Sequence, residues 1–140
     1  MSRVALLWPE LVSYLDTQAE PHILLDLECR VLAANRAYRH HAGDGRDVVG
    51  RKCHEISHGY PVPCDRMGEA CPRERCLASG HRERAVHLHH TPHGDRYERI
   101  DVSPVRDGQG AVVGFVECLA PLVRAHRERG RAVLACSRAK

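Results

Sequence analysis

Apolar residues recur at helical spacing at the start of the chain, at Val4, Leu7, Trp8, Leu11 and Leu15. This pattern predicts an amphipathic helix within residues 1–19. Pro9 lies inside it, so the helix either begins near Pro9 or bends there. Pro21 and the run HILLDL predict a first strand over 22–27, Glu28-Cys29 a tight turn, and RVLAA a second strand over 30–34. Asn35 is an N-cap residue for a short helix that stops at Gly43. A polar loop covers 44–52. The segment 53–76 then breaks the apolar pattern and closes in a helical turn, PRERCLASG, with Pro72 at its start and Gly80 at its end. Beyond it the pattern alternates. Residues 83–90 form a strand that places Val86 and Leu88 on one face, and the turn TPHGD follows. Residues 96–105 form a strand with Ile100 and Val102 inward. After the turn RDGQG, the apolar run 111–122 predicts a central strand. The tail, 123–140, reads as a helix weakened by Gly130.

Helix, two strands, an irregular helical middle, three strands and a helix make an α+β arrangement: a five-stranded antiparallel sheet with helices on one face and flanking terminal helices. The chain has 140 residues, enough for one domain with one core. Several local marks fit that order. They are the hairpin followed by Asn35 and a short helix, Val49-Gly50-Arg51-Lys52, the strand ending Val102-Ser103-Pro104-Val105-Arg106-Asp107, and Gly110-Ala111-Val112-Val113-Gly114 before Glu117. On these the chain resembles a PAS domain across about residues 20–122. The expected organisation is an N-terminal amphipathic helix at 1–19, a PAS-like domain at 20–122 and a C-terminal helix or tail at 123–140.

Charge narrows the partners. The formal net charge is +3, and the basic residues are mostly Arg spread among Glu and Asp. A nucleic-acid face would gather them on one element with a reading motif, and aromatics to stack bases are scarce, so no nucleic-acid partner is expected. No apolar run reaches the roughly 18–20 residues that span a bilayer, and the N-terminus is too polar for a secretory signal. The expectation is a cytoplasmic protein without a membrane partner.

Seven Cys and eleven His are the unusual counts. An odd number of Cys without an export signal points to metal or redox chemistry rather than a disulfide framework. The ligand-type residues concentrate in KCHEISHGYPVPCDRMGEACPRERC: Cys53, His54, His58, Cys64, Cys71 and Cys76. Thiolate sulfur and imidazole nitrogen are donors for Zn²⁺ and iron–sulfur clusters. The spacing Cys53-x4-His58-x5-Cys64-x6-Cys71 has no C-x2-C knuckle, so the donors sit on a folded loop. The segment has few apolar residues, and a metal could replace the core it lacks.

The pattern resembles a PAS subgroup with a Cys, a His, a Pro-Cys and a Cys-Pro before the third strand, here Cys53, His58, Pro63-Cys64 and Cys71-Pro72. That resemblance implies Cys53, His58, Cys64 and Cys71 as ligands of a three-cysteine, one-histidine site. It implies an iron–sulfur cluster, with zinc as the alternative, and redox or oxygen sensing relayed to a signalling partner or output protein. His54 is expected to be exposed, and Cys76 and Cys118 to be core thiols. Cys29 and Cys136 are expected to be incidental. His87, His89, His90 and His93 form a second His-rich patch, in which the i,i+2 pair His87 and His89 could bind metal, but the patch is read as a solvated strand face and turn.

No phosphate loop, nucleophile elbow or kinase motif is present, so a sensor and not an enzyme is expected. Cys53-His54-Glu55 suggests a zinc deaminase, but that signature needs His-x-Glu and then Pro-Cys-x-x-Cys, which this chain lacks. The apolar stripe of the first helix has no assigned place in the sheet core, so it is expected to pair two copies in a homodimer.

Overall fold

The computed structural model describes residues 8–43 and 47–122, with the side chain of Trp8 left aside. Helix α1 (Trp8–Asp16) leads into the hairpin β1 (His22–Leu25) and β2 (Val31–Ala34). Helices α2 (Arg36–Ala42) and α3 (Cys53–His58), a 3₁₀ turn (Cys64–Met67) and α4 (Pro72–Ser79) follow. Three long strands close the chain: β3 (Glu83–Thr91), β4 (Gly94–Arg106) and β5 (Val112–Pro121). The strands form one antiparallel sheet in the order β2-β1-β5-β4-β3, so β5 is central as expected. The tail 123–140, with Cys136, lies outside the described residues.

Alternation along the strands divides the interior in two. On one face Ile23, Leu25, Val31, Ile100, Val102, Phe115 and Leu119 pack against Tyr38 and Ala42 of α2, Ile56 of α3 and Cys76 of α4. Cys76 is fully buried, the core thiol it was expected to be. On the other face Leu24 and Ala33 pack against Leu15, with Leu11, Val12, Val113 and Val116 around them. The stripe of α1, expected to be free for a second copy, therefore covers its own sheet at Leu11 and Leu15. Tyr14 points away and is exposed.

Asn35 joins these layers. Its Oδ1 accepts from the backbone N–H of Tyr38, capping α2, and from that of His22 on β1, both at 2.9 Å. Its Nδ2 donates to the carbonyls of Leu15 at 3.0 Å and Glu20 at 2.9 Å, fixing the end of α1. One buried amide thus bonds backbone groups of α1, of the loop after it, of β1 and of α2.

The third strand faces the other way from the hydrophobic reading. Register pairs Ala85 with Ile100 and His87 with Glu98, so Ala85, His87 and His89 share the helix-facing side with Glu98, Ile100 and Val102. Val86 and Leu88 are half-buried on the reverse. A strand whose interior face is imidazole gives its apolar residues to the other face, and alternation alone cannot tell which is which. The reverse face also holds a charge cluster, in which Asp101, buried, meets Arg84 at 2.6 Å, Arg82 at 2.9 Å and Arg99 at 3.2 Å. Burial pushes its carboxyl up, but the hydrogen bonds from Arg84 and Arg82 outweigh this and hold it below the ordinary Asp value.

Asn35→Ala should cost roughly 2–3 kcal/mol, because it removes a helix cap and leaves buried backbone groups unpaired; urea unfolding measures this. Asp101 binds its proton less readily folded than unfolded, so its stabilisation is present above the unfolded carboxylate value of about 3.9 and is lost as pH falls through the lower folded value. Asp101→Asn should therefore be less stable than the wild type at pH 7, and the gap should close below about pH 4. A gap that stays constant from pH 7 to pH 3 would show that this ion cluster does not contribute.

Candidate functional site

A cavity lies between the helices and the sheet. Cys53, His54, Ser57 and His58 line it from α3, where positions three and four apart share a helix face. Cys64 comes from the 3₁₀ turn, and Cys71, Pro72 and Arg73 from the start of α4. His87 and His89 come from β3, Ile100 from β4 and Glu117 from β5. Gly59 ends α3 with φ 71°, a left-handed value that glycine adopts without strain. The reversal lets the Tyr60 ring stack on His58 at 4.7 Å, with planes 7° apart. The Tyr60 hydroxyl donates to Glu69 at 2.8 Å, and Glu69 lies 3.7 Å from Nδ1 of His58. Pro72 opens α4 and leaves Cys71 at its N-cap. The free volume is about 20 Å³ for the centre of a water-sized sphere, which is room for about one water.

All four predicted ligands, Cys53, His58, Cys64 and Cys71, thus line one cavity. The four are not one of the sets whose donor atoms all lie within 4.8 Å of one another. Among the described residues, the groups whose donor atoms all lie within 4.8 Å are Cys29, Cys53 and His54 on one side and His58, His87 and His89 on the other. Cys64 and Cys71 form a hydrogen-bonded thiol pair, and so do Cys29 and Cys53. Within each pair the shared hydrogen bond splits the acidities. Cys71 falls to about 6 through its bond to Cys64, which in turn is pushed up by that bond and by burial. Cys29 is lowered by its bond to Cys53, and Cys53 is raised by the same bond and by burial.

Burial pulls His58 down to about 4, helped by neighbouring His89, and lowers His54 and His87 as well. Neutral imidazoles have a free lone pair for a metal. Nδ1 of His54, Nδ1 of His58 and Nε2 of His89 have no hydrogen-bond partner among the described residues. Thiols, neutral imidazoles and orphaned ring nitrogens around one small cavity fit a soft or borderline metal ion or cluster. They do not fit a flavin-sized ligand, for which there is no room.

The sequence model of the PAS fold matches residues 15–127, most of the chain. The chain belongs to the PAS fold family. None of the curated proteins matches it. Among solved structures it is similar to a light-oxygen-voltage domain studied with a flavin analogue, at 17% identity and a TM-score of 0.66, covering 91% of this chain and 95% of that one. It is similar to the PAS domain of Bordetella pertussis BvgS at 20% identity and a TM-score of 0.58, covering 90% and 95%. It is also similar to the Vibrio cholerae VqmA dimer, a LuxR-type receptor, at 24% identity and a TM-score of 0.63. That match covers 83% of this chain but only 52% of VqmA. No described helix is long and apolar enough to cross a membrane.

Several residues of this PAS domain's cavity differ from the sequence reading. His54 is 5% exposed, not solvated, and His87 and His89 are 4% and 1% exposed. Cys29 is buried against Cys53, not incidental. Its φ of 70°, unusual outside glycine, is set by the Asp26 turn, whose side chain accepts from the amides of Glu28 and Arg30. Cys118 is half-buried rather than a full core residue. Two carboxylates went unnoticed. Burial, then the neighbouring Cys71 and Cys29, push Glu117 up to about 8. Glu98 goes the other way. Burial would raise it, but hydrogen bonds from His41 and His89 hold it at about 2. For Glu117 a single carboxylate inside an apolar strand was the available signal; Glu98 shares β4 with Asp95 and Asp101 and had no such mark.

Proposed function

We propose that the chain is a sensory and signal-transduction PAS domain whose cavity holds an iron–sulfur cluster or a metal ion through Cys53, His58, Cys64 and Cys71. The observation that carries this reading is that these four donors, spread over 19 positions of sequence, line one cavity between the helices and the sheet. When bound, the group supplies a centre whose charge or ligation responds to redox state or oxygen. The chain's own residues hold it and tune it. Arg73, buried beside Cys29, Cys53 and Cys71, offsets thiolate charge, and its guanidinium donates to the Leu27 carbonyl at 3.2 Å. A change of charge at the thiols alters what segment 53–80 gains by packing on the sheet. The balance between two packings then shifts and is read by a partner or output protein. The same reading places the domain at 20–122, flanked by an N-terminal helix and a C-terminal helix or tail, in the cytoplasm.

A structural zinc ion is the second reading, and the small free volume favours it, since one ion needs less room than a cluster. Purification without oxygen separates the two. A brown protein with iron and acid-labile sulfide supports the cluster, and a colourless protein with stoichiometric zinc supports the ion. Cys53→Ala, Cys64→Ala and Cys71→Ala should each lose the bound metal and unfold more readily, whereas Cys118→Ala should retain it. Full metal content in any of the first three would strike that residue from the ligands.

A homodimer belongs to the same reading, supported by the description of VqmA as a dimer. Light scattering should give about twice the 15.7 kDa chain mass. A monomer at tens of micromolar would remove the dimer and leave the metal site standing.

A further inference from the structure

His87 and His89 of β3 line the same cavity as the thiols, but their donor atoms group with that of His58. We propose that His58, His87 and His89 form a separate site for a single divalent transition-metal ion, of the Zn²⁺, Co²⁺ or Ni²⁺ class, held by three imidazole nitrogens. Their donor atoms lie within 4.8 Å of one another, and all three residues are buried. Nε2 of His58 is 3.3 Å from Nδ1 of His87. Two nitrogens bound to one tetrahedral ion at about 2.0–2.1 Å stand about 3.3–3.4 Å apart, so this pair is already at the spacing an ion would impose. The three ring planes are inclined at 58°, 76° and 80° to one another, with centroids 5.2, 4.7 and 6.1 Å apart.

The surroundings are those of metal-binding histidine. Such a ring usually gives its second N–H to a carbonyl or carboxylate, which fixes the tautomer. Nε2 of His87 donates to the Ala70 carbonyl at 2.6 Å, leaving Nδ1 as the lone-pair atom. Nδ1 of His89 donates to Glu98 at 2.9 Å, which leaves Nε2 as the lone-pair atom of the neutral ring. That Nε2 is buried and has no hydrogen-bond partner among the described residues. Glu98 is itself fixed by Nε2 of His41 at 2.7 and 2.8 Å. In His58, Nε2 is within hydrogen-bonding distance of His87 Nδ1, and Nδ1 has no hydrogen-bond partner among the described residues; an ion would take Nε2, with the proton on Nδ1, 3.7 Å from Glu69. Two of the three imidazoles, His87 and His89, thus have an oxygen acceptor behind them. His58 is the one residue this site has in common with the proposed thiol site, and an ion here engages its Nε2. The inference does not rest on the thiol reading, because two of its three donors lie on a different element.

Co²⁺ alone is the probe. The full chain with Cys53→Ser, Cys64→Ser and Cys71→Ser together should bind one equivalent of Co²⁺, giving d–d bands of a nitrogen-ligated ion and no thiolate charge-transfer band. His87→Gln or His89→Gln in that background should weaken binding by at least tenfold, and Glu98→Gln by about 10–100-fold. His90→Gln, at the exposed end of β3, and His93→Gln, on the exposed turn after it, should change nothing. A folded triple variant that binds no Co²⁺, or one whose affinity ignores His87→Gln and His89→Gln, overturns the proposal. If the triple variant does not fold, the wild-type chain decides. There, His87→Gln with His89→Gln should remove one equivalent of Co²⁺ and leave any thiolate band in place. Loss of that band together with the ion would show that imidazoles and thiols form one centre, and would overturn the separate site.

Discussion

The helix-facing side of the β3–β5 half of the sheet carries His87, His89, Glu98 and Glu117 where an apolar surface would otherwise lie. None of these groups can sit in a dry interior without a partner or a change of charge state. That requirement organises the surrounding elements. α2 must bring His41 over Glu98, the 53–76 segment must bring the Ala70 carbonyl under His87, and Glu117 must hold its proton near neutral pH. The low apolar content of residues 53–76 follows from the same cause, since a segment packed on a polar floor has little use for leucine.

The sheet thus has two working zones. At one end, Ile23, Leu25, Val31 and Phe115 make a dry core with Tyr38 and Ile56. At the other, hydrogen-bonded imidazole, carboxyl and thiol groups replace it. The zones meet on α2, whose Tyr38 belongs to the dry core and whose His41 belongs to the polar one. From His89 a run of bonds passes through Glu98 and His41 into α2, and from the α2 cap at Asn35 to the end of α1. A change at the cavity therefore has a contiguous path to the N-terminal helix, on the far face of the sheet. A path of contacts is a route and not yet a coupling, which requires that both ends favour different states.

The elements were readable because each is fixed by near neighbours in the chain. Asn35 caps α2 whatever packs above it, Pro72 and Gly80 bound α4, and alternation with turn residues bounds each strand within one or two positions. The candidate ligands were readable in kind, because Cys and His in a segment poor in apolar residues have few other uses. Their grouping was not readable. The resemblance grouped His58 with three cysteines, and the fold also sets it beside two histidines about 30 residues onward, at 3.3 Å from one of them.

The sequence by itself determined the strand and helix order, the PAS resemblance, and the presence of a thiol- and imidazole-rich segment before the third strand. Those depend on local periodicity, caps and composition. Tertiary structure alone decided which face of β3 is interior, because a period-2 pattern of apolar and imidazole residues is the same read from either side. It also decided that Cys29, held at positive φ by the Asp26 turn, meets Cys53, and that α1 covers its own sheet. These are pairings between residues far apart in the chain, and only the register of the sheet and the packing of the helices on it bring them together.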